Sequence, residues 1–246
     1  MKPYDINSFF KFLNYGPGNR TYQCPDLKTL SVTCRGDAAQ LEAMLEPTPF
    51  ELADDRFVVS VADFNNVGAR NYFDAAVILA VRYGDQRGGN YYFEYEDNPA
   101  TVAGGRELWG YPKHFAKISL EEKDGNARGR VWLEGETIFE ITLEGGVEEA
   151  AKPASDLQLY PHLQVRAIPQ ANGPSFQSFE ILSRNTVKDY QPKLRKAGKG
   201  SVTLGKAVSF GGTPLKVVEV LGAEYTVGDF YATAENGTPK IVANLV

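Results

Sequence analysis

The chain has 246 residues, with 43% hydrophobic and 23% charged residues, which is typical of a globular protein. Its net charge of −5, from 26 basic and 31 acidic residues without a basic cluster, argues against nucleic-acid binding. No segment is apolar over the length of a transmembrane helix, and the first residues do not resemble a secretory signal. We therefore expect a cytoplasmic protein without a membrane or nucleic-acid partner.

Cysteine and histidine are too scarce for the usual metal sites. The two cysteines are Cys24 and Cys34, and the two histidines are His114 and His162. Their spacings match no standard zinc pattern, and in a cytoplasmic protein the cysteines are expected to be free thiols. We predict neither a metal nor another cofactor.

The first fifty residues combine helical and strand signals. Apolar residues recur at helical spacing from Asp5 to Leu13, which predicts a short amphipathic helix. Leu27 to Arg35 is typical of a strand. Asp37 can cap a second helix over Ala38 to Leu45, whose apolar residues lie on one face.

The rest of the chain is dominated by strand patterns. Asp85 to Asn90 contains glycines and is predicted as a turn, and the linker candidate Lys152 to Ser155 is followed at once by a strand from about Leu157. The other predicted strands are Phe57–Ala62, Ala75–Tyr83, Ile118–Glu122, Arg128–Leu133, Thr137–Leu143, Phe176–Val187 and Lys216–Val227. We predict one mainly β (α+β) domain over residues 1–246, an antiparallel closed barrel or cone with an apolar pocket and a few short helices.

The run from Gly104 to His114 contains the candidate catalytic lysine. Its glycines and Pro112 indicate a loop, and the sheet-like sequences on both sides place Lys113 where this loop re-enters a sheet. The lysine is flanked by apolar residues, and desolvation would lower its pKa and free a neutral amine for Schiff-base formation. The alternative from composition alone is a lysine that extends to solvent past an aromatic patch.

The run resembles the active-site segment of the acetoacetate decarboxylase family, whose Schiff-base lysine follows Tyr-Pro. The residues that match position for position are Gly105, Arg106, Glu107, Leu108, Tyr111, Pro112 and Lys113. The segments Tyr160–Leu163 and Gly200–Leu204 follow the family's order, and the resemblance extends from about Thr29 to the C-terminus. It implies a Schiff base on Lys113, a small keto-acid substrate, a closed antiparallel barrel and a homo-oligomer.

The resemblance also implies acidic and basic groups around the lysine. Asp74 stands at the same separation before Lys113 as a family glutamate, and Tyr72 shares its face if the segment is extended. The alternative is that both lie in an exposed loop. A second family glutamate falls near Val59, where no acid occurs, and Arg20 is the candidate for the family's N-terminal arginine.

Neighbouring residues complete the candidate site. Glu94 is a proton-shuttle candidate if it points inward, and a solvated side chain if it points outward. Trp109 could wall the pocket. His114 replaces a second family lysine and is expected to face solvent or pack on the barrel, whereas Arg106 and Glu107 are expected to be structural.

Three functions fit these features. The first is a lyase that decarboxylates a small 3-oxo acid through an imine on Lys113. The second is a relative that uses the same lysine in an aldolase/dehydratase reaction of pyruvate or another 2-oxo acid with an aldehyde. The third is a small-ligand-binding β-barrel without turnover.

Overall fold

The computed structural model describes residues 21–68, 71–149 and 156–246. The predicted helix over Asp5 to Leu13, the candidate Arg20 and the linker Lys152 to Ser155 lie outside these ranges. Within them, no helix has both the length and the apolar character that crossing a membrane requires.

Strands form most of the described structure, accompanied by two helices. The helices are α1 (Ala38–Leu45) and α2 (Pro99–Trp109). The strands are β1 (Tyr22–Gly36), β2 (Glu51–Phe64), β3 (Tyr72–Tyr83), β4 (Gln86–Glu96), β5 (Lys113–Phe115), β6 (Lys117–Lys123), β7 (Asn126–Leu133), β8 (Glu136–Glu148), β9 (His162–Pro169), β10 (Phe176–Arg184), β11 (Gln191–Leu204), β12 (Ser209–Phe210), β13 (Thr213–Pro214), β14 (Val217–Ala232) and β15 (Lys240–Asn244).

One large sheet contains thirteen of these strands. Its order is β15-β10-β9-β4-β3-β2-β1-β14-β11-β8-β7-β6, with β5 paired to β4, and β12 and β13 form a separate hairpin. Pairing is antiparallel except where β4 meets β5 and β9. The predicted mainly β fold with few helices is confirmed. Among the residues that the structure describes, no strand pairing joins β15 to β6, so closure of the barrel stays a prediction.

The two faces of the sheet serve different purposes. On β1, Leu30 and Val32 are buried in the hydrophobic core, whereas the alternate residues Thr29, Ser31 and Thr33 line a cavity. This division follows from the two-residue period of a strand, which sends successive side chains to opposite faces. The sheet therefore packs a core on one side and holds a cavity on the other.

The turns explain where the sequence prediction was right and where it was wrong. Asp124 and Gly125 have φ values of 53° and 78°, the left-handed geometry of a tight hairpin turn in the predicted β6–β8 meander. By contrast, the predicted turn over Asp85 to Asn90 is wrong, because β4 already begins at Gln86. The strand expected from about Leu157 begins only at His162.

Helix α1 forms as predicted. The Asp37 side chain accepts a hydrogen bond of 3.2 Å from the Gln40 backbone N–H, and Leu41, Met44 and Leu45 are buried. The cap satisfies one of the free N–H groups at the helix start.

Removing this cap tests the local energetics. We expect Asp37→Ala to lower the free energy of unfolding by ~1 kcal/mol, because the Gln40 N–H loses its acceptor. Urea unfolding measures the change, with Glu42→Ala, an exposed position of the same helix, as the control. Equal stability of Asp37→Ala and the native chain would contradict the capping role.

Candidate active site

A helix, rather than the predicted loop, leads to the central lysine. Helix α2 begins with Asn98 as its N-cap and Pro99 in its first turn, and ends at Gly110, whose φ of 73° is left-handed. This order of proline at the start and glycine at the end is the common one for helices. The glycines at the start of the motif gave a false loop signal, because tertiary packing fixes one of them inside the helix.

That packing involves Gly105 and Lys113. A methyl group added at Gly105 would lie 2.4 Å from Cδ and 2.5 Å from Cε of Lys113, so the helix rests directly on the aliphatic part of the lysine. Arg106 Nη1 donates a hydrogen bond of 3.0 Å to the Lys113 carbonyl oxygen. The glycine makes room for the lysine and the arginine fixes its backbone, which fits the structural role expected for Arg106.

Three carboxyl groups surround the Lys113 ammonium group. Lys113 opens β5, opposite Glu94 on the parallel strand β4, and is only 6% exposed. Its Nζ lies 2.8 Å from Asp74 Oδ2 and 3.1 Å from Glu94 Oε1, and it donates a hydrogen bond to Glu96 Oε1. Strands β3 and β4 thus supply all three acids.

The carboxyl groups reverse the pKa shift expected for Lys113. Burial by itself lowers its pKa, but Asp74, Glu94 and Glu96 together raise it well above the usual lysine value. The prediction of a lowered pKa is wrong for this arrangement. The lowered pKa was inferred from the apolar neighbours of Lys113 in sequence, whereas Asp74 and Glu94, proposed for the site but not for this shift, contact the amine together with Glu96.

Two of the three acids hold their protons more tightly than a free glutamate. Burial raises the pKa of Glu94 well above its usual range and that of Glu96 to about 7. Each of these two glutamates keeps one buried oxygen, Oε2, without a hydrogen-bond partner among the described residues. Protons can therefore be shared between the lysine and its neighbours without a net change in charge.

Aromatic residues complete the wall beside the lysine. The Tyr72 and Tyr111 rings have centroids 6.0 and 5.4 Å from Lys113 Nζ. The Tyr111 hydroxyl is hydrogen-bonded to His162 Nδ1 at 2.7 Å. Burial, reinforced by Arg184 and Lys113, lowers the pKa of His162 well below its usual value, so its imidazole is neutral.

The lysine, the two tyrosines and His162 line a cavity of about 700 Å³. Five of the six residues proposed from the sequence line it, namely Tyr72, Asp74, Glu94, Trp109 and Lys113. Glu94 therefore points inward, and Asp74 belongs to strand β3 rather than to an exposed loop. Arg20, the sixth, lies outside the described residues. His114 is exposed, in line with its expected solvent-facing position.

Sequence reasoning missed Glu96, Arg184 and the role of His162. Glu96 had a usable signal, since it follows Glu94 by two residues on one strand and so shares its face. Arg184 and His162 face each other in the β9–β10 pairing. No local pattern indicates that pairing, although the family-like segment Tyr160–Leu163 contains the histidine.

A buried lysine among carboxyl groups, set in a cavity of a mainly β fold, can form a Schiff base with a carbonyl compound once it gives up a proton. A family model described as "Acetoacetate decarboxylase (ADC)" matches residues 13–241, and the chain belongs to this acetoacetate decarboxylase family. It is accordingly an enzyme. An acetoacetate decarboxylase of Burkholderia vietnamiensis (strain G4 / LMG 22486) is 26% identical over 244 residues, covering 93% of this chain and 94% of the relative.

Solved structures share the fold. The acetoacetate decarboxylase from Legionella pneumophila subsp. pneumophila str. Philadelphia 1 superposes with a TM-score of 0.80 at 20% identity, covering 100% of this chain and 98% of the other. The enduracididine biosynthesis enzyme MppR, complexed with the condensation product of pyruvate and imidazole 4-carboxaldehyde, superposes with a TM-score of 0.72 at 15% identity, covering 92% and 90%. At these identities the likeness concerns the fold alone.

The contact between Gly105 and Lys113 yields one prediction. Gly105→Ala should lower stability by about 1–3 kcal/mol, because the added methyl group overlaps the buried Lys113 side chain, and this overpacking outweighs the ~1 kcal/mol by which alanine favours a helix. It should slow adduct formation at Lys113 about tenfold or more, since the methyl group displaces the lysine and small misplacements are costly. Keto-acid trapping with borohydride and thermal melting measure both effects. Gly104→Ala adds the same methyl group to the same helix, and equal slowing in both variants would refute the contact as the cause.

The pKa of Glu96 yields a second prediction. This pKa is about 7 in the fold against 4.5 for a free glutamate, so between these pH values the folded state binds more protons than the unfolded state. The contribution of Glu96 to unfolding free energy therefore falls as pH rises through this window, by at most about 3 kcal/mol. The melting temperature of Glu96→Gln should change less with pH, between 4.5 and about 7, than that of the native chain.

Its control is Glu107→Gln, which makes the same change at an exposed residue of α2. We expect this variant to follow the native pH dependence. If the Glu96→Gln curve ran parallel to the native one, the raised pKa would be wrong.

Proposed function

We propose that the enzyme decarboxylates a small 3-oxo acid through an imine on Lys113. One observation carries this proposal: the Lys113 amine is buried, faces a cavity and lies within hydrogen-bond distance of carboxyl groups able to take and return its protons. The family membership supports the same chemistry.

The first step is formation of a neutral amine. Lys113 is an ammonium group in the free enzyme, and transfer of one proton to an ionised carboxylate of the cluster leaves an amine and a carboxylic acid. The raised pKa of Glu94 keeps this carboxyl protonated, which suits it to donate a proton in the next step. The transfer stays inside the cluster, so it does not require a proton to leave for solvent.

The amine then adds to the substrate carbonyl carbon. The carbonyl oxygen takes one proton from a protonated carboxyl and one from the attacking nitrogen, and it leaves as water to give a protonated imine. The positive imine nitrogen takes the place of the ammonium group, and the contacts of Nζ with Glu96 and Asp74 stabilise it. The cluster is thus suited to both the free lysine and the iminium ion.

Loss of CO₂ follows from this charge. The electron pair of the bond to the carboxylate forms a new C=C bond while the C=N π pair moves onto the positive nitrogen, which gives a neutral enamine, and CO₂ departs without charge. The negative character of the cluster disfavours the substrate carboxylate and favours its conversion to a neutral product. The enamine carbon takes a proton, for which Glu94 is the nearest cavity-lining glutamate, and water then hydrolyses the imine and releases the ketone.

A second candidate is an aldolase/dehydratase reaction of a 2-oxo acid such as pyruvate. The size of the cavity favours it, because a volume of about 700 Å³ leaves space for an aldehyde beside an imine of three or four carbons. The enamine would then attack the aldehyde carbon instead of taking a proton. The condensation product bound to MppR shows that the fold accommodates such a ligand in that protein.

We further propose that the chain acts as a single domain, in the cytoplasm, as a homo-oligomer. Cys24 and Cys34 are buried free thiols, which suits a reducing compartment. Val218, Leu221 and Ile241 are large apolar side chains exposed on β14 and β15, which supports contact with another copy.

Replacement of the nucleophile tests the proposal. Lys113→Ala should form no borohydride-stable keto-acid adduct and should reduce CO₂ release from acetoacetate to the uncatalysed rate, because no other lysine of the described residues lines the cavity. Mass spectrometry and CO₂ measurement record both. His114→Ala, at the exposed neighbouring position, should keep the adduct.

The same experiment separates the three functions. An adduct with CO₂ release supports the decarboxylase, and an adduct with condensation products from pyruvate and an aldehyde supports the aldolase/dehydratase. Reversible binding without an adduct would leave the non-catalytic binding barrel. Undiminished activity of Lys113→Ala would refute the assignment of the nucleophile.

A further inference from the structure

A second buried cation, Arg184, faces the cavity. It ends strand β10 and is 6% exposed. Its Nε donates a hydrogen bond of 3.0 Å to the Gly237 carbonyl oxygen, and its guanidinium carbon lies 4.3 Å from the centroid of the Trp109 ring. Its Nη2 is buried and has no hydrogen-bond partner within the described ranges. The guanidinium group is thus fixed in place with donor capacity left over.

A second buried arginine of the same cavity is paired with carboxylates, unlike Arg184. Arg195 is 5% exposed, but its Nε and Nη1 lie 2.8 and 2.6 Å from carboxylate oxygens of Glu224 and Glu149. Arg184 makes no such ion pair with any residue that the structure describes. A buried charge without a counterion is costly, and an anion bound in the cavity beside Arg184 would lower that cost.

The surroundings of Arg184 keep it charged and connect it to the lysine. Burial by itself lowers its pKa, but the Tyr111 and Tyr22 hydroxyl groups raise it above the usual arginine value. Tyr111 also lies beside Lys113, with its ring centroid 5.4 Å from Nζ, and its hydroxyl binds His162, the cross-strand neighbour of Arg184. The cavity therefore has acidic groups around Lys113 and a cationic position at Arg184, with Tyr111 beside both.

We propose that Arg184 binds the carboxylate of the keto acid and so orients the carbonyl carbon toward Lys113. This inference rests on the proposed function. Asp74, Glu94 and Glu96 repel a carboxylate from Nζ, whereas the planar guanidinium group attracts it and can hold both oxygens. The site then selects keto acids over neutral ketones of the same size. A ketone product, having lost its carboxylate, also loses this contact and leaves more readily.

The test compares a keto acid with a neutral ketone in the native enzyme and in Arg184→Gln. Acetoacetate and acetone are each trapped on Lys113 with borohydride over a range of concentrations. We expect the half-saturating acetoacetate concentration to rise about tenfold or more in the variant, as expected for loss of a charge-assisted hydrogen bond. The acetone value should stay unchanged, which also shows that the variant is folded.

A matched control removes the other buried arginine of the cavity. Arg195→Gln should leave the ratio of the acetoacetate and acetone values as in the native enzyme, because that guanidinium is already paired. An equal effect of Arg184→Gln on both ligands would overturn the inference, and so would a change of ratio in Arg195→Gln as large as in Arg184→Gln.

A measurement on the native enzyme does not depend on the folding of a variant. Butyrate, a carboxylate without a carbonyl group to react, should protect Lys113 from trapping by acetone, and absence of protection would overturn the inference while leaving the imine intact. Butyrate binding is also followed by calorimetry. If no ligand were trapped on Lys113 yet butyrate bound the native enzyme and not Arg184→Gln, the imine would fail and the role of Arg184 would stand.

Discussion

The ammonium group of Lys113, held by Asp74, Glu94 and Glu96 out of contact with bulk water, is the interaction on which the site depends. Burial raises the pKa of Glu94 and of Glu96, and the neighbouring carboxyl groups add to both shifts, so these two acids hold their protons more tightly than a free glutamate. A site of this kind can supply an amine and an acid in turn, which imine formation and hydrolysis both require.

The strands and the helix around this cluster set the positions of its acids and its lysine. Strands β3 and β4 carry the acids, and the short strand β5 runs parallel to β4 so that the lysine lies opposite Glu94. A parallel neighbour needs a crossover connection, and helix α2 is that connection. Its Gly105 lies on the lysine side chain. The helix that the connection requires thus also sets the position of the nucleophile.

Sequence signals over a few residues correctly predicted the elements that short-range interactions determine. The helix from Ala38 to Leu45, the β6–β8 meander and the place of Lys113 at the start of a strand all follow from capping, turn and alternation signals. The segment before Lys113 was predicted wrongly as a loop, since the glycine in this helix is explained by its packing on the Lys113 side chain, which no local pattern shows. The direction of the Lys113 pKa was wrong for the same reason, and Arg184 depended on a long-range strand pairing.

The protonation state of Lys113 tests this account most directly. In a chain labelled with ¹³C-lysine, the Cε resonance of Lys113 is identified by its loss in Lys113→Arg and followed with pH. We predict that it remains an ammonium group in the free enzyme through the usual lysine value of 10.5, because its three carboxyl neighbours raise its pKa. A titration midpoint below 10.5 would show that desolvation outweighs the carboxyl groups and would contradict the account.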